Sequence, residues 1–362
     1  MNRRKFITLS SFFASYPAFS QFNSLQDSLK SDVLPDSSKL IQFNEKASSS
    51  IIVPEKKIII PKSLKSGSKV AIVSPSSVTN QWELSNSTKY FKSLGLNVEY
   101  GKIILNQKNK YGYLSAPDDE RASEFNSFIA RDDIDAIIAS RGGYGIMRII
   151  DKIDFETLKQ KPKILLGFSD FTFMLNAASK LCDMVTFHGP VAISSFPNFT
   201  RKYFQQTLFN IDKPLEIQVP ELTILKEGLT EGQLVGGNLS MLVSSLGTRY
   251  EIDTRDCILF IEDTNENSYQ IDRMLTQMAI AGKFDKVKGI ILGQFSNLRR
   301  KKPFYPNYSL TTLQVFEQIL LPLNIPIVLN FPIGHIENQV ILPILMNAEL
   351  NTKTKTLKIF NS

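Results

Sequence analysis

Three times in the first half of the chain an apolar run of strand character ends in a Ser- or Gly-rich turn and passes directly into a helix-like stretch. The runs are residues 69–73 (KVAIV) before Ser74-Pro75-Ser76-Ser77, residues 135–140 (DAIIAS) before Arg141-Gly142-Gly143-Tyr144-Gly145, and residues 163–167 (KILLG) before Phe168-Ser169-Asp170. Strands alternating with helices argue for a mostly parallel sheet, whose ligand site forms at the carboxyl ends of the strands. The Ser and Gly residues cluster at those ends. A further strand is expected at residues 97–100, and Pro117-Asp118-Asp119-Glu120 opens a helix with acidic residues in the turn where the helix dipole favours them. After about Pro214 the texture changes to short strand-like runs at 215–219, 222–225, 257–261, 289–292, 327–329 and 357–360. Between them lie helical stretches at 239–246 and 269–281, the latter with Ile271, Met274, Leu275 and Met278 at helical spacing. The expected fold class is α/β: an N-terminal α/β domain with a mostly parallel sheet over 64–214 and a strand-rich C-terminal domain over 215–362.

The amino terminus has another job. Arg3, Arg4 and Lys5 precede an apolar stretch at 7–19, and Ala18-Phe19-Ser20 offers a small-x-small cleavage site before Gln21. This is the pattern of a signal peptide over 1–20, too short for a stable membrane anchor. Arg3-Arg4-Lys5-Phe6-Ile7 resembles a twin-arginine export signal, so the expected location is periplasmic; a disordered basic tail is the alternative. Residues 21–63, rich in Ser, Asp, Asn and Lys, read as a linker or extension.

Composition then removes whole classes of function. With 43% hydrophobic and 21% charged residues in 362, the chain is neither a disordered polyampholyte nor a membrane bundle. The net charge of +7 is concentrated at the front: ten basic residues stand against five acidic ones through Lys65, leaving +2 for residues 66–362. A nucleic-acid groove would need basic residues spread along the folded body, so no nucleic-acid partner is expected. Two Cys (Cys182 and Cys257), two His (His188 and His335) and no CxxC or HExxH motif leave nothing that calls for a metal or cofactor. The cysteines read as buried thiols.

Chemistry is concentrated in a few places. Strand, Gly167-Phe168-Ser169 and helix in immediate succession would hold a hydroxyl on a tight turn beside helix N–H groups, the geometry of a nucleophile elbow. Phe171 stands where the usual second Gly would be, and Ser169 as a helix cap is the competing reading. The glycines at 142–145 suit an anion cradle or part of an oxyanion hole, or a plain turn. They fail as a dinucleotide fingerprint because position 148 is Arg148. A serine nucleophile needs a base; His188 and His335 both follow apolar runs, and the residues alone do not choose between them. Glu262, at the end of the run 257–261 and followed by Asp263, is a candidate orienting carboxylate or a solvated loop acid.

These segments, in their order, resemble the serine peptidase family of L,D-carboxypeptidases, which also contains the microcin C immunity peptidases. The similarity runs from about Val70 to Leu350. It includes Arg121-Ala122, Arg141-Gly142-Gly143-Tyr144-Gly145, Gly167-Phe168-Ser169-Asp170, Thr186-Phe187-His188-Gly189-Pro190, Gly236-Gly237-Asn238-Leu239, Phe260-Ile261-Glu262-Asp263 and Pro332-Ile333-Gly334-His335. The resemblance implies Ser169 as nucleophile, His335 as general base and Glu262 as its orienting acid, with the backbone N–H groups of Gly143 and Asp170 as oxyanion donors. His188 then falls in a family motif outside the triad. It further implies a site between domains, a homodimer, a small murein-like peptide as substrate, and release of a terminal D-amino acid by metal-free acyl transfer to water. Two alternatives stand beside this reading: an immunity-type peptidase cleaving a peptide-nucleotide antibiotic, and a non-catalytic wall-peptide-binding protein.

Overall fold

A computed structural model describes residues 57–106, 111–296 and 309–361. The expected signal peptide, and the expected extension as far as residue 56, lie outside the described residues. Strands β1 (Lys69–Val73), β2 (Asn97–Tyr100), β3 (Ala136–Ala139), β4 (Ile164–Gly167) and β5 (Thr186–His188) pair in parallel in the order β5-β4-β3-β1-β2. Every residue of β3 and β4 is buried, which is why these runs are continuously apolar rather than alternating. Helices Ser85–Ser93, Asp118–Ala130 and Thr172–Cys182 connect successive strands, and the second begins after Pro117 with Asp118, Asp119 and Glu120 in its first turn. The chain enters the fold ahead of the expected boundary at 64, because Ile59 bridges Met184 and exchanges hydrogen bonds with Asp183 and Val185.

The second half supplies β6 (Leu215–Gln218), β7 (Thr223–Lys226), β8 (Leu229–Asn238), β9 (Cys257–Thr264), β10 (Gly289–Ser296), β11 (Ile327–Leu329), β12 (Leu342–Ile344), β13 (Asn347–Asn351) and β14 (Thr356–Phe360). All but β12 form an eight-stranded sheet in the order β6-β14-β13-β8-β9-β10-β11-β7, parallel from β8 to β11 and antiparallel to either side. β12 instead crosses to the first sheet and pairs antiparallel with β5 at its edge. Pro343 in β12 has no N–H to donate, so an edge is where this strand can sit, and its sequence does not advertise a strand. β8 is equally hidden, with three glycines in ten residues; pairing with β13 and β9 holds it extended.

One alternation places the future site. Along β9, Ile258 and Phe260 join the core shared with the first sheet, whereas Cys257, Leu259 and Ile261 pack under helices Ser268–Ile280 and Thr312–Leu320. Period two therefore sends Glu262 toward the first sheet and Asp263 away from it. Cys182 and Cys257 are free and buried, as expected, and burial pushes both thiols up to about 12. Among the described residues no helix is long and apolar enough to cross a membrane.

Candidate active site

Ser169 stands at the carboxyl end of β4 with φ of 60°, a left-handed conformation that a residue with a Cβ adopts only under constraint. Phe168 before it is extended, and a short 3-10 turn, Ser169–Phe171, leads into helix Thr172–Cys182. No side chain caps either start, so Ser169 is not a helix cap and its half-buried hydroxyl is free of that duty. Next to it, the Asp170 carboxyl is turned inward and accepts the Ile146 N–H at 2.9 Å. Burial pushes that carboxyl above the usual range, and the Ser76 hydroxyl, the N–H groups of Ile146 and Gly145, and Arg121 partly offset the push.

The turn after β3 is laid directly over this elbow. A Cβ built on Gly142 would lie 2.7 Å from Ser169 Cβ, 2.8 Å from its Oγ and 3.4 Å from the Asp170 backbone nitrogen. Glycine is required there for close approach to Ser169, and the following Gly143, at φ +101°, is packed in turn against Ser77. The turn is fastened by Ser77, whose Oγ accepts the Tyr144 N–H at 3.2 Å and whose N–H donates to Gly142 O at 3.4 Å. Underneath, the fully buried Arg121 donates to Pro75 O, to Gly145 O at 2.9 Å and to Ala116 O at 3.0 Å, with Asp118 as its counter-charge. One guanidinium thus ties the loop after β1 to the loop after β3.

The other half of the site comes from the second sheet. The chain leaves that sheet at Leu329 and joins the first at Leu342, and His335 lies on the crossing. Hydrogen bonds from Phe331 N to Leu292 O (3.1 Å), Gln294 N to Ile333 O (3.1 Å) and Val340 N to Pro332 O (2.9 Å) pin this loop. His335 Nδ1 faces Glu262 Oε2 at 2.9 Å. Gly334, at φ +102°, lets the loop press on that carboxylate, since a Cβ there would lie 2.8 Å from Oε2. Glu262 is completely buried, and Oε1 has no hydrogen-bond partner among the described residues. A carboxylate so placed is not the solvated loop acid of the competing reading. Its charge is directed at the ring that holds its other oxygen.

Phe168 joins the halves: its ring meets His335 edge to face at 4.7 Å, one residue from Ser169. The structure thus brings Ser169, Asp170 and the Arg141–Gly145 turn together, and His335 onto Glu262. Among the described residues no hydrogen bond links Ser169 to His335, and catalytic hydrogen bonds of this kind commonly tighten only when substrate binds. His188 is set apart. It is buried between Phe168 (6.1 Å) and Phe260 (5.2 Å), neither ring nitrogen has a hydrogen-bond partner among the described residues, and burial, followed by the charge on His335, pushes it down to about 3. Phe168 and Arg121 lie in the quoted motifs with no role legible from the residues, and only their contacts reveal what they do; Gly142 belongs to the expected glycine turn, and its contact with Ser169 is what the structure adds. Beneath the site, Asp263 accepts from Asn238 Nδ2 (3.0 Å), Ser240 N (2.9 Å) and Ser240 Oγ (2.8 Å), fixing the end of β9 from its far face.

Both halves of the chain are similar to known proteins. Residues 70–189 match the LD-carboxypeptidase N-terminal domain and residues 231–350 the LD-carboxypeptidase C-terminal domain. A Bacillus subtilis (strain 168) protein named "Probable murein peptide carboxypeptidase" is 37% identical over 307 residues, covering 83% of this chain and 93% of that protein. The crystal structure of muramoyltetrapeptide carboxypeptidase from Oxalobacter formigenes has a TM-score of 0.69 at 28% identity, over 82% of this chain and all of that one. The Escherichia coli microcin C7 self-immunity protein MccF is 26% identical over 322 residues, covering 79% of this chain and 90% of that protein. A structure of MccF with glutamyl sulfamoyl guanosine shares the fold, with a TM-score of 0.76 at 22% identity over 84% of this chain and 99% of that one.

Proposed function

The chain belongs to the LD-carboxypeptidase family, and on that premise we propose that it is a serine peptidase that hydrolyses an L,D-peptide bond and releases the terminal D-amino acid of a murein-type peptide. The observation that carries the reading is the Glu262–His335 pair, held at 2.9 Å against Phe168, the residue before Ser169. Because Nδ1 is committed to Glu262, the imidazole offers Nε2 to the serine. The Ser169 hydroxyl adds to the scissile carbonyl as His335 takes its proton. The oxyanion is received by the N–H groups of Gly143 and Asp170, and the proton passes to the departing amine. Water then repeats the sequence on the acyl-enzyme, restoring Ser169 and freeing the shortened peptide.

Incubation of the purified protein with a murein tetrapeptide and chromatography of the products tests this: D-Ala release is expected, and intact folded protein that releases none would sink the reading. The similarity to MccF supports a second reading, cleavage of a peptide-nucleotide antibiotic; faster turnover of that substrate than of the tetrapeptide would favour it. The basic-then-apolar amino terminus supports export, which would suit trimming of wall-derived peptides, and cell fractionation should find the protein outside the cytoplasm.

A further inference from the structure

Tyr113 is 64% exposed and Tyr144 46%, and their rings meet edge to face with centroids 5.5 Å apart. Such a pair gains little from folding, because much of its apolar surface remains in water. Its supports are nonetheless fixed. Tyr144 is anchored through its N–H to Ser77, while Ser115, two residues beyond Tyr113, donates from its N–H to Ser76 O (3.0 Å) and from Oγ to Ser74 O (2.6 Å). Both rings therefore stand on the loops that carry the elbow's neighbours. Arg148, whose charge both phenols sense, is already matched by Asp118 with contacts of 2.9 to 3.1 Å, so what the exposed pair itself offers is apolar area and shape.

Tyr144 lies two residues along the turn from Gly142, whose Cα faces Ser169. Two residues span at most about 7 Å, which puts the rings within reach of the second or third residue of an extended peptide bound at Ser169. We propose that Tyr113 and Tyr144 form a specificity platform for the acyl side of an extended peptide substrate, two to three residues ahead of the scissile bond. The inference rests on the carboxypeptidase reading: an enzyme that removes one terminal residue has a single residue on the leaving side, so a surface that tells a tetrapeptide from a dipeptide with the same scissile bond acts on the acyl side. Aliphatic stems of the substrate lie on the ring faces, and the phenol hydroxyls stay in water. The enzyme then prefers a tetrapeptide to a dipeptide carrying the same scissile bond.

The test is kcat/KM on a murein tetrapeptide ending in D-Ala against acetyl-L-Lys-D-Ala. Tyr113→Ala and Tyr144→Ala each lower the tetrapeptide-to-dipeptide ratio about tenfold, chiefly through KM, the size of one aromatic contact; Tyr113→Phe preserves it. An unchanged ratio in Tyr113→Ala with an unaltered melting temperature overturns the platform, as does a parent enzyme with no tetrapeptide preference. If the parent cleaves neither substrate, it is the peptidase reading that fails. Calorimetric titration of the uncleaved tetrapeptide then decides the platform separately: about tenfold weaker binding to Tyr113→Ala supports it, and equal or undetectable binding to both proteins overturns it.

Discussion

Ser169 is positioned by backbone, through a left-handed φ at the end of β4, a glycine turn laid against its side chain and the start of a helix behind it. Glu262 and His335 are positioned by side-chain burial and by two sheets, the partners standing 73 positions apart in the chain. The first half is a steric device, storing about 1–3 kcal/mol of local strain at one residue. The second is an electrostatic device, a buried carboxylate whose cost is tolerable only because the imidazole is there. A site assembled this way can fail in two independent manners, by crowding or by loss of charge.

Substitutions separate the two. Ser169→Ala removes the proposed nucleophile and is expected to lower kcat about 10^5–10^6-fold with folding unchanged. Glu262→Gln keeps the shape and removes the charge, with an expected loss of about 10^3–10^4-fold in kcat. The double variant should be no slower than Ser169→Ala alone; additive losses in steady-state assays would show that the halves do not act as a unit. Gly142→Ala probes crowding alone. Its methyl would press on Ser169 and on the approach to the Asp170 N–H, so kcat should fall about 10^2-fold in protein that still folds, with a lowered melting temperature. A kcat within a factor of two of the parent would remove that turn from the mechanism.

The smallest effect concerns stability. Between the ordinary 6.5 and the folded value of about 3, unfolded chains take up a proton at His188 that folded chains do not. Stability from this ring is therefore complete above 6.5 and declines as pH falls toward 3, by at most about 1.4 kcal/mol per pH unit. His188→Phe keeps the packing with Phe168 and Phe260 and should flatten the dependence of urea midpoints between pH 4.5 and 7.5. An equally steep dependence in the variant would assign the acid sensitivity elsewhere.

The legibility of the two halves in sequence follows the same division. The elbow is local: β4, Ser169 and its helix occupy adjacent residues, and the glycine turn reads as a turn wherever it folds. The choice between the two histidines was not legible from residue patterns, because both follow apolar runs. In the folded chain one is pressed between phenylalanines with both nitrogens unpartnered, and the other is on a carboxylate. Strands β8 and β12 carry little local signal, because glycine and proline weaken any strand preference and pairing with sheet neighbours decides their conformation.

By itself the sequence determined the α/β character, the strand-to-helix turn that exposes a serine, the set of candidate residues and the poverty of metal ligands, since each depends on contiguous residues or on counting. Tertiary structure alone decided that Glu262 faces inward and Asp263 away, that the loop bearing His335 crosses between sheets, and that Gly142 touches Ser169. The reason is physical: these outcomes depend on which faces of distant strands pack together, and no local preference encodes a contact between residues whose neighbours in space are far apart in the chain.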